Sequence, residues 1–209
     1  MVSDAERRAA HDTHFDALFA ADPDPWAYRT SFAERAKRRA VRAALGGRSA
    51  RGLEIGCGNG ESTAELAQAF THLTALDASA SAVDLAKERV GERSRCDVYQ
   101  ASLPEAFPAG PFDAIVATEV LYYLPLSLLR TTLQAAYARL APNGRFVLTA
   151  SIRPFGDRDV SHAVLFEEAR MTCGAPHRSI TGGAWRTDVF VRGAGPTPSS
   201  GPFKQRPDY

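Results

Sequence analysis

Apolar positions at the start of the chain recur at helical spacing. Between Ala5 and Ala20 they set Phe15, Leu18 and Phe19 on one side of a helix. Asp22-Pro23-Asp24-Pro25 ends it, because proline fixes φ and disfavours helix in the residue before it. A second helix is expected from Ser31 to Leu45, closed by Gly46-Gly47. The period then shortens. Leu53-Glu54-Ile55 reads as a buried strand entering a glycine turn, and Ser62-Thr63-Ala64-Glu65 has the residues of a capping box for the next helix. Leu73 to Leu76 forms a second strand, followed by a helix capped by Ser79 with Val83, Ala86 and Val90 inward. Asp97 to Gln100 is a third strand. Phe112 to Thr118 is a fourth, and its run Ala114-Ile115-Val116-Ala117 fits a strand buried on both faces. Pro125 opens a helix striped by Leu126, Leu129, Leu133, Tyr137 and Leu140. Asn143-Gly144 turns into a fifth strand, Arg145 to Thr149. Beyond Ser151 the pattern weakens to a helix near Asp159 to Met171 and strands near His177 to Thr181 and Thr187 to Arg192.

This alternation predicts an α/β fold whose sheet is mostly parallel and flanked by helices. The chain of 209 residues suits one hydrophobic core. Residues 1–48 form an N-terminal helical segment, 49–192 the sheet domain, and 193–209, rich in Gly, Pro and Ser, an expected disordered tail.

Charge excludes some partners. Lys plus Arg number 25 against 24 for Asp plus Glu, a net charge of +1, which offers no electrostatic footprint for nucleic acid or an anionic membrane. Arg35, Lys37, Arg38, Arg39 and Arg42 cluster, but at helical spacing beside Glu34, which reads as a solvated helix face. Cys57, Cys96 and Cys173 are odd in number and lack metal-ligand spacing, as do His11, His14, His72 and His177, so no metal is expected. No apolar run reaches membrane-spanning length, and Met1 to Ala10 is charged without an apolar stretch. A cytoplasmic protein with reduced thiols is expected.

The candidate chemistry sits between strand and helix at Glu54-Ile55-Gly56-Cys57-Gly58-Asn59-Gly60. Its glycines let the backbone turn sharply and approach a ligand at the carboxyl edge of the sheet. The GxGxG spacing differs from the GxGxxG of a pyrophosphate cradle. Asp77 closes the second strand, where a carboxylate has two acceptor oxygens for the paired hydroxyls of a ribose. Together they point to a nucleoside-containing ligand. Glu119 ends the fourth strand, and Tyr122 and Tyr123 after it stand either beside the reacting group or as helix-edge packing.

With Leu140-Ala141-Pro142-Asn143-Gly144 before the fifth strand, these motifs resemble those of class I methyltransferases. Asp24-Pro25-Trp26, Ser31, Glu34-Arg35-Ala36-Lys37 and Glu119-Val120-Leu121-Tyr122-Tyr123-Leu124 are similar to the NodS-like family, over roughly Asp12 to Arg192. The resemblance implies a Rossmann-like, seven-stranded fold, an N-terminal helical lid and S-adenosylmethionine (SAM) as cofactor. It implies a small-molecule acceptor, an amine such as an amino sugar. An O-methyltransferase of secondary metabolism and a SAM-binding protein without turnover are the alternatives.

The cofactor residues so implied are Trp26, Arg35, Glu54, Gly56, Cys57, Gly58, Gly60, Asp77, Ala78, Ser102, Leu103, Glu119 and Val120. This chain departs from the family at Gln100-Ala101-Ser102-Leu103, where an acid usually meets the adenine amine and Ser102 must serve instead. Ala33 stands where an aromatic is common. His162, at the start of the helix after the fifth strand, and Glu119 are the candidates for a base that deprotonates the acceptor. A surface or capping histidine is the other reading of His162.

Overall fold

A computed structural model describes residues 2–91, 95–153, 156 and 158–193. Helix α1 spans Asp4–Ala21 and starts at Ser3, whose hydroxyl accepts the Glu6 N–H while the Glu6 carboxylate accepts the Ser3 N–H. Helix α2 (Phe32–Ala44) starts at Ser31, whose hydroxyl accepts the Glu34 N–H. Then follow β1 (Ser49–Ile55), α3 (Glu61–Leu66), β2 (Phe70–Asp77), α4 (Ala80–Val90), β3 (Cys96–Gln100) and β4 (Phe112–Thr118). The rest are α5 (Leu126–Ala138), β5 (Leu140–Ser151), α6 (His162–Cys173), β6 (Arg178–Thr181) and β7 (Trp185–Val191).

Among the described residues the strands form one seven-stranded sheet in the order β3-β2-β1-β4-β5-β7-β6. The first five are parallel; β7 runs antiparallel between β5 and β6. Alternation along each strand splits the core. Leu53, Ile55, Ile115, Phe146, Leu148 and Phe190 pack with α5 and α6, through Leu129, Leu133, Leu165 and Phe166. Ala114, Val116, Val147 and Val189 face the other way, onto Val41, Ala44 and Leu45 at the end of α2. From β1 the chain moves outward to β2 and β3, then returns to β4 and β5 on the opposite side. A crevice therefore opens at the carboxyl ends of β1 and β4, the usual ligand site of such sheets.

Three local expectations change. Ser62 does not cap α3; the helix already starts at Glu61, after Gly60 turns at φ 80°, so Ser62 and Glu65 lie inside it. β5 begins at Leu140, which pairs with Phe112 and so belongs to the strand rather than the stripe of α5. The register next matches Ala114 with Arg145, so Ala141 to Gly144 bulge from the ladder. Lys37 and Arg38 are not on a solvated face: both are buried, at 6% and 8% exposure. The glycine- and proline-rich tail lies outside the described residues from 194 onward.

Candidate active site

The turn after β1 is built by backbone bonding. Gly56 and Cys57 both donate their N–H groups to the Leu76 carbonyl, at 2.8 and 3.0 Å, which folds the glycine loop over the end of β2. Gly56 has φ +75°, and a Cβ there would lie 2.6 Å from a Val120 methyl, so the position accepts glycine alone. Asp77 is oriented by two amides: Oδ2 accepts the Gly58 N–H at 2.9 Å and Oδ1 the Ser79 N–H at 3.0 Å. Burial raises its pKa, against the lowering from those amides.

Glu54 is buried at 2% exposure, and its Oε2 has no hydrogen-bond partner among the described residues. Burial pushes its pKa up to about 8, opposed in part by the nearby Thr63 hydroxyl. Among the described residues no cation pairs with this acid.

Asp24-Pro25-Trp26 is explained by the turn it builds. Asp24 accepts the N–H groups of Tyr28 (2.7 Å) and Arg29 (3.2 Å), and Asn59 of the glycine loop donates to both the Pro23 carbonyl and Asp24 Oδ1. Arg38 donates to the Tyr28 carbonyl at 2.8 Å and to Glu65 at 2.7 Å. The turn thus brings Trp26 and Tyr28 against Phe19, with the Trp26 ring 5.5 Å from each of the other two rings.

These rings, with Phe15, Tyr123 and Trp185, line a cavity of about 550 Å³ at the crevice. Its polar wall is a chain of charges. Lys37 Nζ lies 2.9 Å from Glu34 Oε1 and 2.6 Å from Glu119 Oε1. Glu119 Oε2 accepts the Tyr122 hydroxyl at 2.6 Å and the Ser151 N–H at 2.8 Å. Glu119 reaches this arrangement at φ 56°, a turn that a β4 continuing straight would not make. Beyond Gly56, Asp77 and Val120 lies a narrower slot of about 90 Å³, lined by Leu76, Ala78, Ala101 and Leu103 together with Arg8 and Asp12 of α1.

The fold therefore gathers Trp26, Glu54, Gly56, Cys57, Gly58, Asp77, Ala78, Leu103, Glu119 and Val120 around one crevice. Other expected residues fall outside the linings. Arg35 is exposed and donates to the Arg29 and Thr30 carbonyls. Gly60 packs on α4, where a Cβ would meet Ala86 Cα at 2.7 Å. Ser102 donates to Asp12. His162 is the first residue of α6, with the cap supplied by Ser161, and does not line the cavity. Sequence reasoning missed Lys37, Glu34, Trp185 and the α1 residues Asp12 and Asp16. The i, i+3, i+4 spacing of Glu34, Lys37 and Arg38 was a visible signal; its partners were not.

A family model described as a methyltransferase domain matches residues 53–146. Nodulation protein S of Sinorhizobium fredii is 30% identical over 154 residues, 72% of this chain and 71% of that protein. Nodulation protein S of Rhizobium tropici is 33% identical over 143 residues, 66% of this chain and 59% of that one. The N-methyltransferase NodS from Bradyrhizobium japonicum, solved with S-adenosyl-L-homocysteine, has the same fold, with a TM-score of 0.76 at 24% identity over 87% of this chain and 98% of that one. Fold and site define a class I, SAM-dependent methyltransferase. The chain belongs to the nodulation protein S family.

The residues present fit SAM. Gly56 leaves open the space that a side chain would fill, Asp77 offers carboxylate oxygens at the end of β2, and the Oε2 of Glu54 is a buried acceptor in want of a donor. Cys57 contributes backbone and packing, because burial lifts its thiol well above the ordinary range and leaves it un-ionised. Among the described residues no helix is long and apolar enough to cross a membrane.

Proposed function

We propose that the enzyme N-methylates a small amine, an amino sugar or related metabolite, held between the aromatic wall of the cavity and Glu34. The carrying observation is that one cavity pairs the rings of Trp26, Tyr28, Tyr123 and Trp185 with the carboxylates of Glu34 and Glu119, whose two negative charges face the single ammonium of Lys37. Such rings and charges attract an ammonium. The N-methyltransferase activity of the solved NodS relative supports nitrogen over oxygen.

SAM, when bound, supplies an electrophilic methyl group on a sulfonium. In this reading Asp77 holds its ribose, Glu54 its ammonium, the 90 Å³ slot its adenine, and the backbone at Gly56 and Gly58 approaches it closely. Residues 1–48 close over it as a lid. An ammonium acceptor has no lone pair, so a proton must leave first. Glu119 is already committed to Lys37, Tyr122 and the Ser151 amide, and its role is to orient. Glu34, bonded at Oε1 to Lys37, is the better-placed proton acceptor, directly or through water. Alignment of the reacting atoms in this cavity supplies the rest of the rate. The free, buried thiols of Cys57 and Cys173 suit the reducing cytoplasm as its location.

The test is incubation with methyl-labelled SAM and a panel of amino sugars, simple amines and phenols, followed by mass spectrometry and NMR of the products. Label on nitrogen is expected; label on oxygen alone overturns the reading.

A further inference from the structure

We infer that Asp12, carried by the N-terminal helix, accepts the adenine amine of SAM in this chain, and that Ser102 aims it. This rests on placing adenine in the 90 Å³ slot beyond Asp77.

The exit of β3 offers no carboxylate there, since it reads Gln100-Ala101-Ser102-Leu103. A serine hydroxyl has one proton to donate, and Ser102 donates it to Asp12 Oδ2 at 2.8 Å, across 90 positions of sequence. Asp12 itself lines the slot beside Ala101 and Leu103. A carboxylate in this position only accepts hydrogen bonds, so it favours an N–H₂ group and repels a carbonyl oxygen. Neutral serine would distinguish the two poorly, because a hydroxyl both donates and accepts.

Asp12 is also firmly placed. Four residues on, Asp16 Oδ1 accepts the Ser79 hydroxyl (2.8 Å) and the Ser81 N–H (2.9 Å) at the start of α4. One residue before it, His11 Nε2 lies 3.1 Å from Asp159 Oδ2. Helix α1 is thus tied to both banks of the slot. One turn earlier, Arg8 Nη1 donates to the Leu103 carbonyl at 3.3 Å, while its Nε is buried without a partner among the described residues. Arg8 lines the same slot, and its guanidinium also pairs with Glu105. Asp12 and Asp77 both line that slot, so the two carboxylates border one space. Asp77 takes the diol and Asp12 the base. The lid therefore reads the nucleobase, and seating of α1 and binding of adenine are one event.

Calorimetry with S-adenosylhomocysteine and S-inosylhomocysteine, which has a carbonyl in place of the amine, tests this. The natural chain should prefer the adenosyl ligand by about tenfold or more. Asp12→Ala should lose most of that preference. Asp12→Asn, whose carboxamide both donates and accepts, should bring the two ligands near parity or reverse their order. Asp12→Ala combined with Ser102→Asp returns a carboxylate from the strand side and should restore the preference. Circular dichroism and melting establish that each variant is folded, and the ratio of two ligands on one protein cancels a general loosening of α1. An undiminished preference in folded Asp12→Ala overturns the role of Asp12. Ala101→Trp examines the slot itself: unchanged affinity for S-adenosylhomocysteine there overturns the placement of adenine instead.

Discussion

Lys37 Nζ stands 2.6 Å from Glu119 Oε1, joining α2 to the end of β4. Both groups are largely buried, and Lys37 also holds Glu34 at 2.9 Å, so one ammonium offsets two carboxylates. Removing one partner of a buried pair leaves the other charge uncompensated, at a cost of about 3 kcal/mol or more. Lys37→Met should therefore lower stability in urea denaturation by about that amount. Adding Glu119→Gln should recover part of the loss. A Lys37→Met protein as stable as the parent would show that the pair is solvated in solution.

Glu54 makes stability depend on pH. Its folded pKa of about 8 lies above the ordinary 4.5, so the folded state holds a proton that the unfolded state has released between those values. Folding stability accordingly falls as pH rises from about 4.5 to 8, and then levels. Glu54→Gln should flatten that limb in melts of the ligand-free protein. S-adenosylhomocysteine should bind with proton release near pH 7, because its ammonium favours the ionised acid. Calorimetry in buffers of different ionisation enthalpy detects that proton.

Asp77→Ala removes charged acceptors held by the Gly58 and Ser79 amides. Affinity for S-adenosylhomocysteine should fall about tenfold or more. Unchanged affinity in the folded variant would remove Asp77 from the ribose.

The lid should respond to ligand. Trp26 is 38% exposed and rests on Phe15, Phe19 and Tyr28 at the cavity mouth. S-adenosylhomocysteine should slow proteolysis between Asp22 and Arg35 and shift Trp26 emission, read in a Trp185→Phe background because Trp185 lines the same cavity. If neither changes, Trp26 serves only to pack α1.

Glu34→Gln and His162→Ala separate the candidate bases. The first should lower kcat by about 10²-fold with little change in SAM affinity, and the second should stay within about twofold. The reverse result would return the role to His162 and require α6 to move toward the cavity. Acceptors of different amine pKa distinguish loss of a base from protonation of the substrate.

The sequence by itself determined what depends on near neighbours. Helix starts at Ser31 and Ser79, the apolar run of β4 and the glycine turn after β1 are local, because caps, alternation and positive φ are set within a few residues. Asp77 was legible too, since its place at a strand end follows from the strand. Tertiary structure alone decided which polar groups became interior. Lys37 and Arg38 look like solvent-facing charges until Glu119 and Glu65, distant in sequence, neutralise them. It also set β7 antiparallel between β5 and β6, a pairing that no local pattern encodes. His162 opens its helix as the sequence implied, yet the packing of α6 on α5 decided that it would not line the cavity. Asp12 meets Ser102 only because α1 lies across the carboxyl edge of the sheet. Burial of a charge is a property of a pair, and the members of these pairs meet only when the chain is folded.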